Sequence, residues 1–141
     1  MLSYIQYRMQ LFRQAKAELK MELKRPPHTQ EAYDSGELDN YYRQAEDLFE
    51  WKRLIQTEYL RGKAERLLIP MPDLSDRTMY DQVEWDKDPK QPKYLTDLGL
   101  RTVRSAIREE QKHRRESVMF WFGIVFGLIG AVTGLISALK S

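Results

Sequence analysis

The residues that could do chemistry are few. His28 and His113 lie far apart, and neither has a neighbouring ligand pattern. A zinc site needs three or four ligands, so no metal and no cofactor is expected. Cysteine is absent, which excludes disulfides and thiolate sites. No serine or threonine sits in a nucleophile elbow, and no glycine-rich phosphate loop exists. Glu84, Asp86 and Asp88 surround Trp85 in an acidic patch. A divalent ion needs more ordered oxygens than a proline-flanked loop offers, so the patch reads as a solvated linker, with docking of a basic partner as the alternative. Arg108 and His113 remain, and mixed charge on a solvated helix accounts for both without catalysis. The chain is expected not to be an enzyme.

What the chain does contain is an apolar run near its end. From Ser117 to Leu139 there is no charged side chain. Residues 118–139 would span about 33 Å as a helix, roughly the thickness of a bilayer's hydrocarbon core. Phe120, Trp121 and Phe122 fall where an interfacial aromatic belt belongs. Before the run stand Arg101, Arg104, Arg108, Lys112, Arg114 and Arg115; beyond it the only charged side chain is Lys140. The positive-inside rule places the N-terminal body in the cytoplasm, and the basic cluster against anionic headgroups. Within the run, Gly123, Gly127, Gly130, Gly134 and Ser137 recur at steps of four and three, so they share one helix face. Small residues let helix backbones approach in lipid, which makes this a face for self-association or for a membrane partner.

The remaining residues must form the body. Leu2, Ile5, Met9, Phe12, Leu19 and Leu23 recur at helical intervals, with Lys16 at the missing position. Pro26 and Pro27 stop this first helix. Thr29 opens a possible short turn. A longer second helix is expected from about Glu37 to Leu68. Leu38, Tyr41, Ala45, Leu48, Ile55 and Tyr59 form one stripe on it, and Tyr42, Phe49, Leu60, Ala64 and Leu67 an adjoining one. The two main stripes are expected to meet in an antiparallel hairpin. The basic residues of the first helix, Arg8, Arg13, Lys16, Lys20, Lys24 and Arg25, would then face water; lying on a membrane surface is the alternative. Residues 69–95, with Pro70, Pro72, Pro89 and Pro92, read as an irregular acidic linker lying partly across the helices. A third helix starts near Thr96, carries Leu100, Val103 and Ile107 as a narrow apolar stripe, and continues without a break into the membrane. The expected fold is all-α: a hairpin over residues 1–68, a linker over 69–95, a basic juxtamembrane helix over 96–117 and a transmembrane anchor over 118–139. The first 25 residues lack the apolar run of a secretory signal.

The block Leu95-Thr-Asp-Leu-Gly-Leu, then Arg104-Ser-Ala-Ile-Arg-Glu-Glu and Arg114-Arg-Glu, followed by Gly127-Leu-Ile-Gly-Ala-Val-Thr-Gly-Leu-Ile136, resembles the C-terminal ends of small uncharacterised bacterial inner-membrane proteins. The resemblance covers the last third of the chain. It implies a bacterial source and a cytoplasmic body, and it brings no activity. Arg108-x4-His113 is similar to the arginine–histidine spacing of HEPN-type ribonucleases, which would imply an RNA-cleaving pair lining a helix.

The expected protein is therefore a tail-anchored, single-pass interaction or assembly subunit. Its partners would be the bilayer, a second copy or another membrane protein through the glycine face, and a cytoplasmic protein. A formal net charge of +2 gives no reason to expect nucleic acid. A membrane-perturbing effector is the alternative, and a membrane-bound ribonuclease a remote one.

Overall fold

A computed structural model describes residues 2–83 and 91–139, with side-chain surroundings described as far as Thr133. It is mostly helical. Helix α1 spans Tyr4–Glu22, α2 Gln30–Asp34, α3 Glu37–Arg66 and α4 Asp97–Leu139. Two short strands interrupt the pattern, β1 at Tyr80–Gln82 and β2 at Lys93–Leu95.

The helix ends follow local chemistry. Ser3 caps α1 by accepting from the Gln6 amide, and the Gln6 side chain accepts in return from the Ser3 amide. Thr29 caps α2 in the same way through the Ala32 amide. α3 runs unbroken through Gly62. It ends with Leu68 in the left-handed region at φ 59°, the Ile69 amide reaching the Ala64 carbonyl and the Leu68 amide that of Glu65. This is a Schellman ending with leucine where glycine is usual. The Thr96 hydroxyl accepts from the Gly99 amide and opens α4.

The linker is not irregular throughout, and the fold is not purely helical. β1 and β2 pair antiparallel, with Tyr80 opposite Leu95, Asp81 opposite Tyr94 and Gln82 opposite Lys93. Three residues each is too short for an alternating pattern to show in sequence. The sheet is pinned from outside itself. The buried Thr57 hydroxyl of α3 accepts from the Leu95 amide at 2.8 Å. The Thr96 hydroxyl donates to the Thr78 carbonyl at 2.7 Å, and Lys93 reaches the Leu74 carbonyl at 2.9 Å. Upstream, Asp73 and Asp76 each accept from backbone and hydroxyl groups two residues ahead, folding the segment into turns. Those bonds hold both carboxyls below their ordinary value.

The apolar core sits between α3, the sheet and the first third of α4. Leu60 and Ala64 meet Tyr80, Leu95, Leu100, Val103 and Ile107 there. Gly99 permits the close approach of α4 to the strand segment, since a Cβ at that position would collide with the Met79 carbonyl oxygen. Along this contact α3 and α4 run in the same direction. Arg53 pairs with Asp97 at 2.6 Å near one end, and Arg114 reaches the Leu67 carbonyl at 3.1 Å near the other.

α1 packs antiparallel on the other side of α3. Tyr7 stacks on Tyr59 with ring centroids 4.0 Å apart, while Gln14 meets Leu48 further back along α3. The residues that make this contact are not the expected ones. α3 does turn Leu38 and Ile55 inward, with Tyr41, Ala45, Leu48 and Tyr59 half-buried. The α1 stripe faces away: Ile5, Met9, Phe12, Leu19 and Leu23 are all exposed, Phe12 by 71 % and Leu23 by 80 %. Leu2 is half-buried. Gln14 is the fully buried residue of α1 instead, at 1 % exposure. Tyr7, Gln10, Leu11, Ala17 and Met21 are half-buried around it. The physical reason is a shift of two positions, from Ile5, Phe12 and Leu19 to Tyr7, Gln14 and Met21. Two residues turn a helix by about 200°, so the two lines lie on opposite sides.

Candidate functional site

Two surfaces of the molecule carry apolar groups that nothing among the described residues covers. They are the outer face of α1 and the distal part of α4.

The outer face of α1 exists because the inner face is satisfied by polar chemistry. Gln14 donates to the Leu48 carbonyl at 3.1 Å and to Glu18 at 3.2 Å. Glu18 in turn pairs with Lys52 of α3 at 3.9 Å. A buried amide with both donor bonds made is stable, and its bonds fix the rotation of α1 on α3. Tyr7 adds the aromatic stack, and burial raises its pKa against the lowering influence of nearby Arg104. With that rotation fixed, Ile5, Met9, Phe12, Lys16, Leu19 and Leu23 form a continuous outward line. Arg8, Arg13, Lys16 and Lys20 on and beside it are exposed, and they make no ion pair among the described residues.

α4 is 43 residues long, about 65 Å, and it is long and apolar enough to cross a membrane. Its Leu100, Val103 and Ile107 belong to the core. From Gln111 to Thr133 every residue is exposed. Phe122 and Phe126 stack on each other one turn apart. The Thr133 hydroxyl donates to the Ile129 carbonyl at 2.8 Å, so this polar group is satisfied within the helix. A Cβ at Gly123, Gly127 or Gly130 would meet nothing within 4 Å, which leaves that face open. Gly134 and Ser137 continue the same helix, and their surroundings lie outside the described residues.

The basic cluster divides into residues that hold the fold and residues that face outward. Arg114 bonds to Glu110 at 2.7 Å and closes the end of α3 through the Leu67 carbonyl. Lys112 pairs with Glu116 at 3.8 Å. Arg101, Arg104, Arg108 and Arg115 are exposed. Arg108 and His113 do not come together: five residues separate them by about 140° around the helix, and no hydrogen bond joins them among the described residues. No three His, Asp or Glu gather around a common point among the described residues. The acidic patch of Glu84, Asp86 and Asp88 lies outside them.

The strongest polar cluster surrounds Arg53, and the sequence pattern gives no sign of it. The Arg53 side chain is largely buried, lies over the Phe49 ring at 4.8 Å and bonds to Asp97. The hydrogen bond and the charge of Arg53 hold the Asp97 carboxyl below its ordinary value. Nearby, burial pushes the Tyr94 hydroxyl up to about 12, aided by the charges of Asp81 and Glu50. These groups join α3, β2 and α4 to one another, and their partners are already met. No family model, curated protein or solved structure matches the chain.

Proposed function

We propose that this chain is a single-pass membrane protein that works by binding rather than by catalysis. α4 anchors it, the body stands in the cytoplasm of a bacterial cell, and the outer face of α1 receives a protein partner. The observation that carries this reading is the stripe Ile5, Met9, Phe12, Leu19 and Leu23, exposed on a helix whose opposite face packs on α3. Contiguous exposed apolar surface of this kind marks interaction sites. The asymmetry of Arg and Lys around the anchor supports the cytoplasmic placement. The glycine face at Gly123, Gly127 and Gly130 supports association within the bilayer, through a second copy or another span. The internal bond of Thr133 speaks against a pore, which needs polar groups turned to a lumen.

A crosslinked pulldown of the full-length protein from native membranes tests the binding role. A stoichiometric second protein is the expected result; recovery of the chain alone, without self-crosslinks, would sink it. Orientation is checked separately, because the chain has no cysteine of its own. Ser3→Cys should react with an impermeant maleimide only after the inner membrane is opened. Labelling in intact cells stripped of their outer membrane would reverse the topology. Gly127→Ile with Gly130→Ile should abolish association measured in bilayers.

A further inference from the structure

We propose that the outer face of α1 is one half of a heterotypic coiled coil, and that its partner is an amphipathic helix with acidic flanks. This rests on the binding role proposed above and names the chemistry of the partner.

The spacing supports a helical occupant. Ile5, Met9, Phe12, Lys16, Leu19 and Leu23 advance by alternating steps of four and three along α1 and its C-cap. That is the a and d seam of a heptad repeat, which a partner helix fills with its own knobs. Lys16 takes one a position. A single polar residue there sets register and partner choice at some loss of affinity.

The flanks decide which helix. Arg8, Arg13 and Lys20 occupy positions beside the seam, and with Lys16 they are exposed and unpaired among the described residues. The carboxylates of α1 point elsewhere or are held: Glu18 is engaged with Gln14 and Lys52, and Glu22 with Arg25. The outward surface is therefore apolar in the middle apart from Lys16, with Arg13 and Lys20 on one edge and Arg8 on the other. Acidic residues opposite Arg8, Arg13 and Lys20, and one opposite Lys16, complement it.

Two other occupants fit less well. A second copy in the same membrane would present α1 in parallel, which sets Lys16 against Lys16 and Arg8 against Arg13. Like charges at these positions repel and select against the homodimer. The bilayer fits less well because of direction. α1 runs antiparallel to α3, and α3 runs with α4, so the stripe extends along the anchor's axis. Membrane helices tilt by about 20° on average, so a flat lipid surface crossed by α4 would meet the end of α1 more readily than the length of its stripe.

The test uses the full-length protein in nanodiscs of zwitterionic lipid. The probe is a labelled three-heptad peptide with leucine at a and d, glutamate at e and g, and one glutamate at the a position meant for Lys16. A control peptide carries lysine at e and g. The acidic peptide should bind more tightly than the control by on the order of tenfold or more. The triple variant Arg8→Glu, Arg13→Glu, Lys20→Glu should invert that preference, which a merely sticky surface would not do. Phe12→Ser should abolish binding of both peptides while leaving the melting temperature unchanged. Equal binding of the two peptides, or of neither, would overturn the proposal. So would a disulfide-linked homodimer formed by Phe12→Cys in native membranes. Capture of phosphatidylglycerol vesicles dependent on Phe12 would give the face to lipid and overturn it as well. A partner recovered in the pulldown while the acidic peptide fails would remove this inference alone. No partner at all would remove the binding role beneath it.

Discussion

α3 is covered on two sides, and the two sides are built differently. Toward β2 and α4 it presents Leu60 and Ala64 to Leu95, Leu100, Val103 and Ile107, an apolar contact made of interlocking aliphatic groups. Toward α1 it offers the Leu48 carbonyl to an amide and the Tyr59 ring to another ring. The first interface draws its strength from surface removed from water. The second is held by directed contacts that set an orientation, and it uses few of the apolar side chains α1 carries. That difference explains the exposed stripe. Aliphatic groups at the first interface are consumed by folding, whereas Ile5, Met9, Leu19 and Leu23 of the α1 segment stay exposed.

The largest effect should come from the first interface. Leu95 is fully buried at the junction of strand, α3 and α4. Leu95→Ala should cost about 2–5 kcal/mol, from lost transfer energy plus the cavity left behind. Urea unfolding of the full-length protein in detergent measures it. A loss below about 1 kcal/mol would mean that the apolar interface is not where the stability lies.

Thr57→Val probes a directed contact inside that interface. The variant fills the same volume but leaves the Leu95 amide buried without its acceptor. The expected loss is about 1–3 kcal/mol. A silent substitution would show that water or a shifted strand satisfies the amide. The same corner should respond to base. With the Tyr94 pKa pushed up to about 12 from the ordinary 10.0, the folded state holds that proton more tightly than the unfolded one. The stability this contributes is complete below pH 10 and is lost as pH rises from there toward 12. Tyr94→Phe should flatten that part of the alkaline profile.

At the second interface Gln14→Ala removes two side-chain hydrogen bonds, to Leu48 and Glu18. The Leu48 carbonyl lies within α3 and does not depend on Gln14 alone, so the expected loss is nearer about 1 kcal/mol. Loosened rotation of α1, seen as faster amide exchange across Tyr4–Glu22 with little change in α4, would sharpen the contrast between the two sides. Equal loosening of α3 and α4 would erase it.

The two interfaces differ in how far the amino-acid sequence alone reveals them. Pro26, Pro27, Pro70 and Pro72 mark the gaps around α3, and Thr29 and Thr96 mark helix starts, because prolines restrict the adjacent backbone and the threonine hydroxyls cap amides three residues on. Leu100, Val103 and Ile107 stand out as an apolar stripe at helical spacing, and all three enter the core. The sheet is hidden: Tyr80–Gln82 and Lys93–Leu95 are three residues each, and what fixes them is a hydroxyl from Thr57, distant in sequence. Helical periodicity is right that α1 is a helix and wrong about the face turned to α3. Periodicity weighs apolar content, and the packed line of Tyr7, Gln14 and Met21 carries a glutamine at its centre. The heptad recurrence of that second line is the available signal, and the stronger stripe opposite masks it. Arg53 is inconspicuous because a charged residue on a helix is usually solvated, and only its burial against Phe49 and Asp97 shows otherwise.

Phe12→Ser should have the smallest effect on folding, and its smallness is informative. Were Phe12 seated in a seam against α3, as its spacing with Ile5 and Leu19 suggests, truncating it would cost about 3–5 kcal/mol. At 71 % exposure it has little contact to lose, and the change should stay within about 0.5 kcal/mol. One unfolding curve therefore separates the two rotations of α1 by several kcal/mol. A neutral result leaves a large apolar ring in water, with no folding role, on a helix edged by Arg8 and Arg13. A large loss would put Phe12 inside the body, turn Gln14 outward and leave no outer stripe for a partner to cover.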